Sequence, residues 1–458
     1  MTFKRVTGMM VWVLIMVAAI GTAYGQNETV PSDGGTVRAY IDINQPFAKK
    51  IPIAIPDFLP IQAGSSGPGE VTIQLPKRLG GNLDMTGLFI ALDKRVFLES
   101  NPRAGLANEA AVKYDEWQAI GSELLVKGAF SLSGDQLVLE MRLFDVFSNK
   151  MVLGRRYSGS PKDGRRMINR FTNEILKLVT GEPGIFGTKM VFVTGSKANK
   201  SIMITEVGTD EAKGVASGGN GPYTQPTMSN GGDIAYVHRE GTIWQLISGG
   251  QVISQGPLHV SPAFTPGGGL MAAVSGKHDT NIFMFQGPGG KPIPITKHWG
   301  INISPAVSPD GGQMVFVSDR GGGPQLYISS VGGGSARRLT VEGKENTDPD
   351  WSPRGDRIVF CGDSKDIFSI NPDGSDLQQL TYGQGRNTRP TWSPDGRMIA
   401  FSSTRNGRNQ IFVMTANGER QQPLMPDYKG DQQQPYWCNA DVDFWEKKAV
   451  AAGSGGGG

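Results

Sequence analysis

The chain has 458 residues, 45 of them Lys or Arg and 42 Asp or Glu, for a formal net charge of +3. That near-balance argues against a basic nucleic-acid binder, despite a sequence pI of about 8.7, and favours protein partners. Two cysteines, Cys361 and Cys438, can pair in an oxidising compartment, but the repeat count below puts them two units apart, so buried free thiols are expected.

Lys4 and Arg5 precede an apolar run from Met9 to Ile20 that is too short, and too soon followed by polar residues, for a membrane span. Ala23, Tyr24 and Gly25 put small residues where a signal peptidase reads, so residues 1–25 are expected to be a signal peptide. No cysteine follows at that point, so no lipid anchor is expected on an exported product. Removing the two leader cations leaves 43 basic and 42 acidic residues, a net charge near +1. Residues 26–49 are expected to form a mobile segment. Within it, the alternation of Val37, Ala39, Ile41 and Ile43 suits an extended strand that packs on its own domain or adds to a partner's sheet.

Residues 50–183 read as a small α/β domain. The run 51–58 reads as a strand near a sheet edge, because its prolines cannot donate ladder hydrogen bonds. A helix is expected through Val71, Leu75, Leu79 and Leu83, its extent blurred by Pro76, Gly80 and Gly81. Strands follow at 123–130, 136–147 and 151–158, with Ser133, Gly134 and Asp135 turning between the first two. A last helix starts at Pro161, presents Ile168, Phe171, Ile175 and Leu178 on one face, and stops at Gly181 and Pro183. It runs almost directly into the next domain, which predicts rigid coupling.

From there the chain repeats. Prolines 226, 262, 305, 349, 390 and 435 open imperfect copies of Pro-Thr-Trp-Ser-Pro-Asp-Gly, at intervals of 36, 43, 44, 41 and 45 residues. Each copy carries short apolar runs separated by Gly-rich polar turns, with too few residues for a crossover helix, so parallel sheet is not expected. The first outer set of strands lacks an inner strand before it, and the last inner strand lacks an outer set after it. Pairing the two completes a six-bladed β-propeller over 184–440 and removes an exposed edge. Asp310, Asp373 and Asp395 are expected to accept hydrogen bonds in turns, and Trp351, Trp392 and Trp437 to wedge between neighbouring blades. Residues 441–458 form a tail with Phe444 and Trp445 before a Gly-rich end.

No nucleophile elbow, zinc-binding His-Glu-x-x-His, phosphate loop or Cys-x-x-Cys is present, and no cofactor or metal is expected. The four histidines, 238, 259, 278 and 298, all fall in the repeats. Polar residues leading into the inner strands should line one mouth, where loops from many blades converge. The candidates are His259, Ser261, Asn302, Ile303, Asn346, Thr347, Asn387, Thr388, Arg389, Gln433 and Gln434. Arg389 leads, because a guanidinium can meet a partner carboxylate through two hydrogen bonds. For each single residue, capping a turn is the competing role.

The repeats, above all Trp392-Ser393-Pro394-Asp395-Gly396, together with the leader and the preceding α/β domain, resemble the TolB family of periplasmic propellers, built on PD40-type repeats, in the Tol-Pal cell-envelope system. The resemblance implies a noncatalytic role in outer-membrane integrity and in envelope constriction at division. It implies that the Pal lipoprotein binds at the propeller mouth and that TolA binds a mobile N-terminal segment, here Val37, Arg38, Ala39, Tyr40, Ile41, Asp42 and Ile43. Two features depart from the pattern. An extra tract, 26–35, precedes that segment, and His259 lies three residues before Pro262, one nearer than the family spacing. A carbohydrate- or peptidoglycan-binding propeller and a peptidase-like hydrolase remain as other classes.

Overall fold

A computed structural model describes residues 49–62, 67–106 and 109–438, together with the backbone of Glu28–Thr29. The expected signal peptide, the proposed TolA-binding residues 37–43 and the tail 441–458 lie outside the described residues.

The first domain is a mixed sheet with helices on both faces. Three antiparallel strands, Leu124–Ser133, Gln136–Asp145 and Lys150–Gly159, form its centre, and Glu28–Thr29 pairs along the outer side of Lys150–Gly159. Alternation along Leu124–Ser133 splits the burial. Leu124, Val126 and Phe130 meet the helices Leu75–Met85 and Gly164–Thr180, while Leu125 meets Trp117 on the opposite face. The long helix begins where the sequence says. A preceding 3-10 turn opens at Pro161, Asp163 accepts from the Ser160 amide at 2.9 Å, and Gly181 closes the helix with a left-handed φ of 78°.

Two expectations are refined. The strand expected over 51–58 is Ile51–Ala54, which lies near the edge as read but second from it, because an unforeseen strand, Phe89–Ala91, pairs parallel to it on the outside. Pro52 is tolerated there because pairing with the central strand starts only at Ile53 opposite Leu124, and the Pro52 carbonyl still accepts from Glu123 at 2.9 Å. The first helix is also preceded by a π-helical turn, Glu70–Gln74, with Pro76 sitting in the first turn of Leu75–Met85, where its missing N–H costs little.

The repeats form antiparallel four-stranded sheets whose innermost strands surround a channel. The six inner strands are Tyr223–Met228, His259–Phe264, Gly300–Val307, Asn346–Trp351, Asn387–Trp392 and Gln433–Cys438. The last pairs with Lys189–Thr194, so the end of the domain completes its first sheet. Four separate sheets have four strands each, and a fifth has eight. The eight arise because Asp279 and Thr280 pair parallel with Gly300 and Ile301, a short contact that the repeat pattern did not predict.

Trp351 and Trp392 are each buried among side chains of two successive sheets, and Trp437 joins the last repeat to Met190 and Phe192 of the first. Ser-Pro-Asp-Gly turns close on themselves as expected. Asp395 accepts from Ser393 Oγ at 2.6 Å and from the Arg397 amide at 3.1 Å, while hydrogen bonds from Ser308 and Gly312 hold the Asp310 carboxyl below its ordinary range. Both cysteines are free and buried, and burial pushes the Cys361 thiol up to about 12.

The domains share one core. Phe171, Ile175 and Leu176 of the long helix pack in the same apolar cluster as Met190, Met398, Val413 and Trp437. Polar contacts frame it. Arg78 pairs with Asp210 at 2.6 Å, Arg397 with Glu182 at 3.0 Å and Arg420 with Asp84 at 3.1 Å.

Glycine substitutions separate close packing from propensity. A Cβ at Gly128 would overlap the Phe58 ring, whereas a Cβ at Gly81, inside Leu75–Met85, meets nothing within 4 Å. Gly128→Ala should therefore destabilise by about 1–3 kcal/mol through overpacking. Gly81→Ala should stabilise by roughly 0.5–1 kcal/mol. Urea denaturation midpoints check both, and equal shifts would contradict the packing described.

Candidate functional site

Antiparallel order decides which face of the disc is free. Each inner strand runs toward the turns carrying Arg354 and Arg397, and third strands run toward turns such as those carrying Asp210 and Glu419. Those turns meet the first domain, through Glu182, Arg78 and Lys50. The inner strands therefore start on the opposite face, away from the first domain.

Just inside that face, the residue before each repeat proline adopts a left-handed conformation. Gln225, Ser261, Ser304, Asp348, Arg389 and Gln434 have φ between 51° and 55°, and the pairing register of each strand shifts across that point. Each is a bulge, and each turns its side chain into the channel. The side chains then bond around the ring. Gln434 Oε1 accepts from the Gln225 amide at 2.8 Å, Gln225 Oε1 accepts from the Ser261 amide at 2.6 Å, and the hydroxyls of Ser261 and Ser304 meet at 3.2 Å. On the other side, Arg389 Nε stands 3.0 Å from Asp348 Oδ1. These six residues line a channel cavity of about 610 Å³.

Above the ring the expected mouth residues part into two groups. Asn302, Asn346, Asn387 and His259 are buried. Asn387 Nδ2 donates to Asp366 and Thr381, each at 3.3 Å, and its Oδ1 accepts from Ser403 at 2.8 Å and Arg405 at 3.0 Å, tying its own sheet to the previous one. Asn302 makes the matching bonds with Asn281, Ser318 and Arg320, and Asn346 with Gln325. His259 Nε2 meets Ser254 Oγ at 2.8 Å, and burial lowers the affinity of its ring for a proton. Asn302 and Asn387 are spent inside the fold, while Nδ1 of His259 is buried with no hydrogen-bond partner among the described residues. Ser261 is buried in the ring, while Ile303, Thr347, Thr388, Arg389, Gln433 and Gln434 are partly exposed. Thr347, Thr388, Arg389, Gln433 and Gln434 line a smaller cavity of about 210 Å³ that opens on the free face.

Three ring members, Gln225, Ser304 and Asp348, were not among the sequence candidates, although their place before the repeat proline matches that of Ser261, Arg389 and Gln434. The apolar rim was missed too. Val341 is 77 % exposed and Tyr382 68 %, and both stand eight residues before their repeat proline (349 − 8 and 390 − 8), with Trp299 71 % exposed on the preceding repeat. All three stand on loops that lead into inner strands, on the free face. Among the described residues, no group of three or more His, Cys, Asp or Glu is placed to hold a metal ion, and no helix is long and apolar enough to cross a membrane.

Family profiles described as TolB amino-terminal domain and TolB beta propeller domain match residues 39–152 and 176–441. The chain belongs to the TolB family. Among TolB relatives, "Protein TolB homolog" of Chlorobium luteolum is 30% identical over 374 residues, which is 80% of this chain and 85% of that protein. "Tol-Pal system protein TolB" of Desulfosudis oleivorans is 36% identical over 268 residues, 57% of this chain and 61% of that protein. The match to the same-named protein of Syntrophus aciditrophicus, 37% identical, spans 36% of each chain, so these two TolB matches cover less than two thirds of their relatives. In fold, the crystal structure of TolB from Acinetobacter baumannii superposes with a TM-score of 0.72, at 22% identity, over 91% of this chain and 100% of that one.

One carboxyl in the channel wall gives the site a pH signature. Burial pushes Asp350 up to about 6, from an ordinary 3.8, against the opposing hydrogen bond that its Oδ2 accepts from the Trp392 amide at 2.8 Å. A folded-state pKa above the unfolded one means that the fold binds this proton more tightly, so stability falls as pH rises from about 4 through 6 and then levels. Asp350→Asn keeps an acceptor for Trp392 and removes the charge. It should be more stable than the parent at pH 7.5 and match it below pH 4, as read by urea denaturation at both pH values; a gap that does not change with pH would refute the assignment.

Proposed function

We propose that this chain is a noncatalytic, periplasmic protein-binding component of the Tol-Pal system, exported by its leader. In this reading it takes the Pal lipoprotein at the free mouth of the propeller and TolA through residues 37–43, and so helps to maintain outer-membrane integrity and to draw the envelope together at division. Its fold is read as six blades, with the eight-stranded sheet counted as two blades joined by the short parallel contact, and the ring closed by Gln433–Cys438 on Lys189–Thr194.

The observation that carries the reading is the free face. It combines the polar cavity beside Arg389 with the exposed apolar side chains Trp299, Val341 and Tyr382, a mixture of apolar anchors and polar rim that suits a protein partner. The first domain occupies the other face through its shared core, and among the described residues no element covers this one. The strand Lys150–Gly159, already paired with Glu28–Thr29, offers the backbone edge against which an N-terminal strand can dock.

Calorimetry with the soluble domains of Pal and TolA from the same genome tests both contacts. Tyr382→Ala should weaken Pal binding by roughly tenfold or more, the range of an interface aromatic, without moving the thermal midpoint. Deleting residues 36–43 should abolish TolA binding and leave Pal binding intact. Absence of Pal binding by the parent protein, alongside retention on peptidoglycan fragments, would turn the reading toward a glycan-binding propeller.

A further inference from the structure

The ring of six left-handed residues does not require a cation. Five of its members are Gln225, Ser261, Ser304, Asp348 and Gln434, and the sixth, on the same backbone geometry, is Arg389. Its guanidinium carries five N–H donors. Among the described residues its one polar side-chain contact is the ion pair to Asp348, through Nε. Arg386, on the loop leading into the same strand, uses its Nε on the Ser364 carbonyl at 3.2 Å. Both arginines line the small cavity on the free face, and among the described residues Asp348 is the one carboxylate in that lining; Glu345 is adjacent, accepting from the hydroxyl of Ser364, a lining residue.

Two guanidinium groups facing a polar cavity of about 210 Å³, with terminal nitrogens left over, are a receptor for one more carboxylate. The remaining lining suits that chemistry, since Thr347, Thr388, Asn409 and Gln433 supply hydroxyl and amide donors. The backbone adds to it. A non-glycine residue held at φ 53° in front of a proline cannot relax locally, so the start of the Arg389 side chain is fixed before any ligand arrives.

We infer that this cavity is a recognition pocket for an acidic side chain of the protein partner, and that Asp348 stands in for that side chain in the free protein. The inference rests on the reading of the mouth as a protein-binding surface and names the chemistry that surface selects. On binding, the partner's carboxylate takes the terminal nitrogens of Arg389 and Arg386 and competes with Asp348 for the same charge. Asp348 thus holds Arg389 in place when the pocket is empty and weakens binding when it is filled. Removing each member of the internal pair therefore has opposite effects on affinity, which a merely structural ion pair would not produce.

The test uses the full mature chain and two probes. The first is the soluble domain of Pal from the same genome, by calorimetry at low and high salt. Arg389→Gln should weaken binding by about tenfold or more, as for loss of a hydrogen-bonded interfacial charge, and flatten the salt dependence. Asp348→Asn should tighten binding, with the double variant as weak as Arg389→Gln. The second probe is acetyl-glutamate N-methylamide against its glutamine counterpart, followed through arginine Nε–H signals assigned with Arg386→Gln and Arg389→Gln. The glutamate form should shift both signals saturably, and the glutamine form should not. If the parent binds Pal while Arg389→Gln is unchanged, or if Asp348→Asn weakens binding as Arg389→Gln does, the pocket is refuted and the partner-binding reading stands. If the parent does not bind Pal, that reading fails, and equal responses to the two small probes would refute the pocket on its own terms.

Discussion

The propeller depends on a backbone conformation that no residue in it prefers. Six times a non-glycine residue enters left-handed space directly before a proline, two conditions that local sterics disfavour together. Each such residue costs of order 1–3 kcal/mol, so the surrounding sheets must impose it. They do so through the bulge: pairing skips the left-handed residue and the proline alike, so the missing proline N–H costs no ladder hydrogen bond. The return is geometric, because the same bulge aims one side chain from every inner strand into the channel.

A second constraint holds the sheets in register with one another. Asn302, Asn346 and Asn387 each reach back to the third strand of the preceding repeat, while Thr296, Thr340 and Thr381 accept from backbone amides there. Buried amides in such networks are costly unless bonded; Asn302 and Asn387 use both nitrogen and oxygen, while Asn346 bonds through its nitrogen, with Gly362 where the others meet a serine. The asparagines look like mouth residues in the sequence for the same reason that they are staples in the fold: both roles call for a polar side chain just before the strand. Periodicity alone could not tell them apart.

The shared core between the long helix and the first and last repeats gives the disc two unlike faces. One is occupied by the first domain, through Arg78, Glu182 and Asp84, and the other keeps exposed tryptophan, valine and tyrosine side chains around a polar opening. Trp437 packs at the junction of the long helix with the first and last repeats.

What the sequence determined by itself was the repeated unit, the long helix with its stop at Gly181, the central hairpins of the first domain and the pairing of the last strand with the first. Those follow from local periods, turn residues and the need to cover an edge, all short-range or topological signals. It placed Ile51–Ala54 near an edge, as found, but did not show the strand outside it, Phe89–Ala91, which is three residues long. The tertiary structure alone decided which polar residues before the prolines face outward. Burial and partner choice depend on neighbouring repeats: Arg389 meets Asp348 and Asn387 meets Asp366 through contacts that exist only once the sheets stand side by side.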